Sequence, residues 1–176
     1  VVGQTKKLEV VNEENWEAVF GTIKAAVEAL KAFRLREGEA LRRDVTAKVE
    51  NILACSHEIE KFEQERIAQI REKILTRFDE LKLEVDQTRL EQEMIFYIEK
   101  LDINEERVRL RQHCSYYLET LENEPYPGRK LGFIAQEMGR EINTTGSKSN
   151  NHEMQKFVVK MKDELEQIKE QVLNAL

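Results

Sequence analysis

Turn-forming residues are scarce in this chain. Its 176 residues include seven glycines and two prolines, about 5% of the total against a usual share near 12%. A β-sandwich or barrel needs a turn roughly every ten residues, commonly built on Gly, Pro or Asn, and this chain has too few to supply them. Cysteine is scarce too. Cys55 and Cys114 stand alone, with no CxxC and no Cys/His ligand spacing, which removes a disulfide scaffold and points to a reducing, cytosolic compartment. No apolar run reaches the ~18 residues of a membrane helix, and no signal peptide is visible. An excess of basic residues is also missing: 28 Lys and Arg face 34 Asp and Glu, for a formal net charge of −6. That argues against holding nucleic acid by overall charge, while leaving room for a local basic surface.

What is present is helical periodicity. Hydrophobic residues make up 40% of the chain and charged ones 35%, enough for helix seams but lean for a broad core. Residues 1–11 are short and β-leaning and read as a linker or the remnant of a preceding domain. Asn12, followed by Glu13 and Glu14, is a helix start, with a capping side chain and acids in the first turn. Apolar residues then recur at Phe20, Ile23, Val27, Leu30, Leu41, Val45, Val49, Ile52, Ile59, Phe62, Ile70, Ile74, Phe78 and Leu81. One unbroken helix over this stretch would span roughly 100 Å. The region 12–85 is therefore expected to break, near Gly38 and near Ser56–His57, or to fold as a helical hairpin of coiled-coil type.

The remainder, 86–176, reads as a C-terminal helical domain. Asp86 is positioned to cap a helix at about 87–100, and Asn104 with Glu105 and Glu106 opens another at about 104–122. PYPG at 125–128 is a stop and turn. A short helix at 129–142 and a polar loop at 143–151 follow, then a last helix at 152–175. That helix carries Met154, Val158, Met161, Leu165, Ile168 and Val172 at alternating steps of four and three, a coiled-coil-like seam. The fold class is all-α: a long helical hairpin or coiled coil plus a bundle of shorter helices.

The catalytic menu is narrow, with no P-loop, GxSxG, HExxH or GxGxxG. Asp102, Glu106, Arg109 and His113 share one helix face, and Glu106 and His113 could join one divalent-metal site. A solvated salt-bridge ladder is the commoner use of that spacing. Glu137 and Glu141 are one turn apart beside Arg140 and could hold Mg²⁺ or Mn²⁺ through oxygen ligands, or form an ordinary exposed surface. NTTGSKSN at 143–150 could cradle a phosphate or be a C-cap running into an N-cap, with Lys148 unexplained by the capping reading. FRLREG at 33–38 sets Arg34, Glu37 and Gly38 on a seam that expects apolar residues, marking either a break or an ion-pair network.

Taken together, GRKLGFIAQEMGREINTTGSKSN at 128–150, RLEQEMIFYIEKLDINEERVRLRQH at 89–113, MKDELEQIKEQVLN at 161–174 and the REG at 36–38 resemble the YicC-like family of bacterial endoribonucleases. The resemblance covers roughly residues 13–176. It departs from the family pattern at Gly132, where an Asp is usual, at Gly139, where an Asn is usual, and at Lys100, commonly Arg. It implies a metal-dependent endoribonuclease acting on single-stranded RNA in the bacterial cytoplasm, assembled as a ring-like hexamer, with no membrane association. Full members also carry an N-terminal domain beginning near an MTGxG motif that is not found here, so the chain looks like the C-terminal helical part.

Motif position and side-chain chemistry then give an expected site. His113, Glu106, Glu137 and Glu141 are the expected catalytic groups, with His113, Glu137 and Glu141 as ligands for Mn²⁺ or Mg²⁺. Arg109, Arg111, Arg129, Lys130, Arg140, Asn143, Ser147 and Lys148 are the expected RNA contacts, arginine forks suiting phosphate. Tyr116, Tyr117 and Tyr126 are candidate stacking platforms, or packing residues. The competing reading is a non-catalytic helical scaffold for oligomerisation or interaction in a stress-related bacterial protein.

Overall fold

The computed structural model describes residue 13 and residues 15–80, 86–149 and 151–174. The expected linker at 1–11 and the Asn12 cap lie outside those residues. The described secondary structure is helical, with no strand among the described residues. In chain order it comprises α1 (Trp16–Lys61), α2 (Glu63–Glu80), α3 (Gln87–Leu101), α4 (Asn104–Asn123), α5 (Gly128–Lys148) and α6 (His152–Asn174). The all-helical expectation holds, with a long first helix and a helical bundle. The chain divides into two compact units, residues 1–41 and 42–176.

The long helix breaks elsewhere than expected. Helix α1 runs through Gly38, since one glycine costs only about 1 kcal/mol relative to Ala in a helix interior and 46 residues share the load. It also runs through Ser56, which is buried and lies one helical turn from Ile52 and Ile59 on the same face. The interruption falls at Phe62. Its N–H donates to the Ile59 carbonyl at 3.1 Å, a tightened three-residue turn, and its ring packs 6.1 Å from that of Phe157.

The core of the second unit follows the periodicity. Val45, Val49, Ile52, Cys55 and Ile59 are the buried face of α1, and Met154, Val158, Met161, Leu165, Ile168 and Val172 are that of α6. The expected α6 seam is thus buried along its whole length. Polar contacts at the margin join the same two helices: Lys48 Nζ donates to Gln167 Oε1 at 2.7 Å, and Asn51 Nδ2 to Glu164 Oε1 at 2.9 Å. Helix α5 packs between α4 and α6, burying Leu131, Ile134, Ala135, Met138 and Ile142. Both cysteines are free and buried. Burial pushes the Cys114 thiol up to about 12, which makes it a packing group and not a nucleophile.

Local signals account for the helix ends. Asp86 caps α3 as expected, accepting from the Thr88 N–H at 2.9 Å and the Arg89 N–H at 3.3 Å. Helix α4 begins at Asn104, but the side chain at its start belongs to Asp102, which accepts from the Asn104 N–H at 3.0 Å. The turn between α4 and α5 falls on PYPG, where Tyr126 takes φ 55°, a region costly for a bulky residue.

The polar stretch after residue 142 is not a loop. Helix α5 continues to Lys148. The hydroxyls of Thr144, Ser147 and Ser149 donate back to the carbonyls of Arg140, Asn143 and Thr145, so they are spent on the helix. Gly146 is a close-approach residue, not a turn: a Cβ there would stand 2.9 Å from Val158 Cγ1. Gly132 faces open space, with nothing within 4 Å of such a Cβ. The two glycines therefore predict opposite results. Gly132→Ala should stabilise the fold by about 0.5–1 kcal/mol through helix propensity. Gly146→Ala should destabilise it by about 1 kcal/mol, the overpacking cost of roughly 1–3 kcal/mol exceeding the propensity gain. Denaturant unfolding of both variants checks the pair, and Val158→Ala should relieve the second.

Candidate functional site

Four helix ends converge in the second unit, and charged side chains hold them. Arg66 on α2 is only 5% exposed. Its guanidinium donates to the Leu101 carbonyl at 2.6 Å and to the Lys148 carbonyl at 3.3 Å, closing the ends of α3 and α5. Helix C-termini expose unpaired carbonyls and a partial negative charge, so a buried cation there satisfies both. Lys148 Nζ in turn donates to Glu106 Oε1 at 2.8 Å and to the Asp102 carbonyl at 2.9 Å, tying α5 to the start of α4. Arg107 reaches Glu60 at 2.5 Å and Glu63 at 3.4 Å, bridging the break between α1 and α2. Burial pushes the Glu63 carboxyl above its ordinary value, with Arg107 and Arg66 opposing the shift.

The Lys148–Glu106 pair sets the level of the antiparallel α4–α5 interface. Seven residues back from Lys148 along α5 is Glu141; seven forward from Glu106 along α4 is His113. These two fall at the same level, about 10 Å along the helices from the ion pair. Glu141 is nine-tenths buried as a residue and makes no hydrogen bond or ion pair with another described residue, but its carboxylate oxygens reach solvent. Glu137, one turn away, is half-exposed and pairs with Arg140 at 3.1 Å. Among the described residues, no group of three His, Cys, Asp or Glu side chains lies close enough to hold a metal ion.

The expected RNA contacts are dispersed over α4 and α5. Arg111 is exposed and unpaired among the described residues. Arg109 is paired with Glu105, and Lys130 with Glu124 while lying over the Tyr116 ring at 4.6 Å. Arg129 lies over Phe133 at 5.8 Å. Asn143 and Ser147 are exposed on α5. Lys148, expected as a loop cation for phosphate, is the closing residue of α5 and already serves Glu106.

Among the tyrosines, Tyr117 is fully buried and cannot stack on a base, whereas Tyr116 and Tyr126 are exposed. Arg66, Arg107 and Glu63 sit among ordinary surface charges by spacing, and nothing in the sequence pattern singles them out. For the exposed neighbours Phe96 and Tyr97, two adjacent aromatics on a helix were the available signal.

An all-helical bundle with cations gathered at its helix ends and an unpaired glutamate on an α4–α5 face defines a class, not yet a family. A family model for the endoribonuclease YicC-like C-terminal region matches residues 59–175, and the chain belongs to that family. It is 34% identical over 162 residues to the probable endoribonuclease YicC of Clostridioides difficile strain 630, covering 90% of this chain and 55% of that protein. It is 35% identical over 143 residues to the probable endoribonuclease YicC of Haemophilus influenzae, covering 81% and 50%. The chain spans about half the length of the curated relatives it matches.

The helix-end network predicts an asymmetric response to mutation. Lys148→Met leaves the Glu106 carboxylate buried and unpaired, and should cost about 1–3 kcal/mol, discounted from the range for fully buried pairs because Lys148 is partly exposed. Adding Glu106→Gln should recover part of that loss. A double-mutant cycle by chemical denaturation measures the coupling; additive losses would show that the pair does not connect the helices.

Proposed function

We propose that this chain is the C-terminal helical part of a metal-dependent endoribonuclease that cleaves single-stranded RNA in the bacterial cytoplasm. Glu141 is the observation that carries the reading. The residue is nine-tenths buried, yet its carboxylate oxygens have no partner among the described residues and are not sealed from solvent, which leaves them available to a cation. Glu141 and His113 would hold a divalent cation, with Glu137 a turn away. Two or three protein groups suffice, since Mg²⁺ is commonly bound by one or two carboxylates together with waters and substrate phosphates. Such a cation would supply charge stabilisation at the scissile phosphate.

The chain's own groups do the rest. His113 would act as a ligand of that cation, its one lone-pair nitrogen then being unavailable for proton transfer. Glu106 is a positioning residue: its pair with Lys148 holds α4 and α5 in the register that brings His113 and Glu141 to a common level. Arg111, Arg129 and Arg140 present exposed guanidinium groups to RNA phosphates. The pairs Arg109–Glu105 and Arg140–Glu137 are exposed, so little energy opposes their exchange for phosphate. Asn143 and Ser147 would add polar contacts along α5.

A specific observation also favours assembly. In the first unit, Trp16, Phe20, Ile23, Val27 and Leu30 follow steps of four and three, yet each is 44–58% exposed. That is an unpartnered seam, suited to a second copy of the same helix within a homo-oligomer, a hexamer for the full-length protein. If assembly were the whole function, the chain would be a scaffold.

One experiment separates the readings. Labelled single-stranded RNA is incubated with the chain and with Glu141→Gln and His113→Ala variants, in Mn²⁺ or in chelator, and each sample is sized by sedimentation. The nuclease reading expects cleavage that chelator abolishes and that each variant lowers at least a hundredfold, with folding retained. Equal cleavage by all three proteins overturns the assigned site. A chain that cleaves nothing but forms a defined oligomer, dissociated by Phe20→Glu, supports the scaffold.

A further inference from the structure

We propose that a single-nucleotide subsite for RNA lies between α2, α3 and Asn151 before α6, formed by none of the residues proposed above as metal ligands or RNA contacts. This inference rests on the RNA reading and extends it to a surface that contains no α4 or α5 residue. The cavity there has a volume of about 180 Å³. That is below the roughly 300–1,000 Å³ that encloses a drug-sized ligand, and it suits one base or one phosphate.

The lining has the mixed chemistry that a nucleotide needs. Its charged members are Arg66 and Lys73, and it includes no carboxylate, in a chain whose net charge is −6. Arg66 spends both terminal nitrogens on the carbonyls of Leu101 and Lys148, yet its Nε is buried without an acceptor. Arg66 therefore lends positive charge to the wall, while Lys73, which makes no hydrogen bond or ion pair with another described residue, is the cation free to meet a phosphate. Two amides stand beside it. Gln69 has no hydrogen bond to another described residue. Asn151 uses its Oδ1 to accept from the Glu153 and Met154 N–H groups, which leaves its amino group free to donate.

Tyr97 completes the arrangement. Its ring is 42% exposed at the cavity and is held edge-on by Phe96, with centroids 6.0 Å apart. Ile70 and Ile74 add apolar lining from the same helix as Arg66, Gln69 and Lys73. An aromatic platform beside cations is the arrangement by which single-stranded nucleic acid is bound with little sequence preference. In this geometry a base stacks on Tyr97, its phosphate meets Lys73, and the amides reach the base edge.

The test uses the chain with a short, labelled single-stranded oligouridylate in chelator, so that the RNA stays intact, and reads affinity by fluorescence anisotropy. Tyr97→Ala should weaken binding about tenfold, and Tyr97→Phe should retain it. Lys73→Ala should weaken binding several-fold and lower the salt dependence by about one ion. RNA carrying 4-thiouridine should give a photo-adduct on the peptide containing Tyr97. Wild-type affinity in both Tyr97→Ala and Lys73→Ala, with adducts confined to α4 and α5, overturns the subsite while leaving the RNA reading standing. Absence of any RNA binding by the wild-type chain overturns both.

Discussion

One buried guanidinium governs the second unit. Arg66 closes the carbonyl ends of α3 and α5 together, and those ends fix where the next helices start. Lys148, whose carbonyl Arg66 holds, carries the ammonium that grips Glu106 and the Asp102 carbonyl. Arg107, next to Glu106 in sequence, spans the α1–α2 break to Glu60 and Glu63. The apolar faces supply the bulk of the stabilisation, but they are tolerant of sliding. The charged contacts have discrete partners, and they set the register in which His113 and Glu141 stand level.

That division explains how an acidic chain can belong to a family named for acting on RNA. The cations inside the bundle are consumed in closing helices, and those on α4 and α5 are exposed or held only by exposed pairs worth little. Net charge is a poor guide here, because the acidic majority is spread over solvated helix faces while two local surfaces, α4–α5 and the α2–α3 cavity, retain free cationic donors.

Much of the fold was legible in the sequence. Too few turn residues, the 3.6-residue period, Asp86 as a cap and PYPG as a stop all led to the observed helices. The misplacements have physical reasons. Gly38 was read as a break, but a single glycine is a small cost in a helix of this length. Residues 143–151 were read as a polar loop because glycine, serine and asparagine cluster there; the structure continues the helix to Lys148 and uses the missing Cβ of Gly146 to admit Val158. The same error turned Thr144, Ser147 and Lys148 into an anion loop.

The site was less legible, because spacing shows which residues share a face but not which are already partnered. Glu106 and Lys148 were assigned separate roles and turn out to be each other's partner. Tyr117 was weighed as a stacking platform and is core. Arg66 carries no sequence signal at all, since its role depends on two carbonyls 35 and 82 residues away.

The most direct test of the account is amide hydrogen exchange on Arg66→Met. The arrangement predicts faster exchange at both distant helix ends, around residues 99–104 and 146–151, together with a global stability loss of about 2–4 kcal/mol from two hydrogen bonds to a charged group. The middle of α6 should keep its protection relative to global unfolding. Faster exchange confined to α2, with the ends of α3 and α5 unchanged, would contradict the claim that this one side chain holds them.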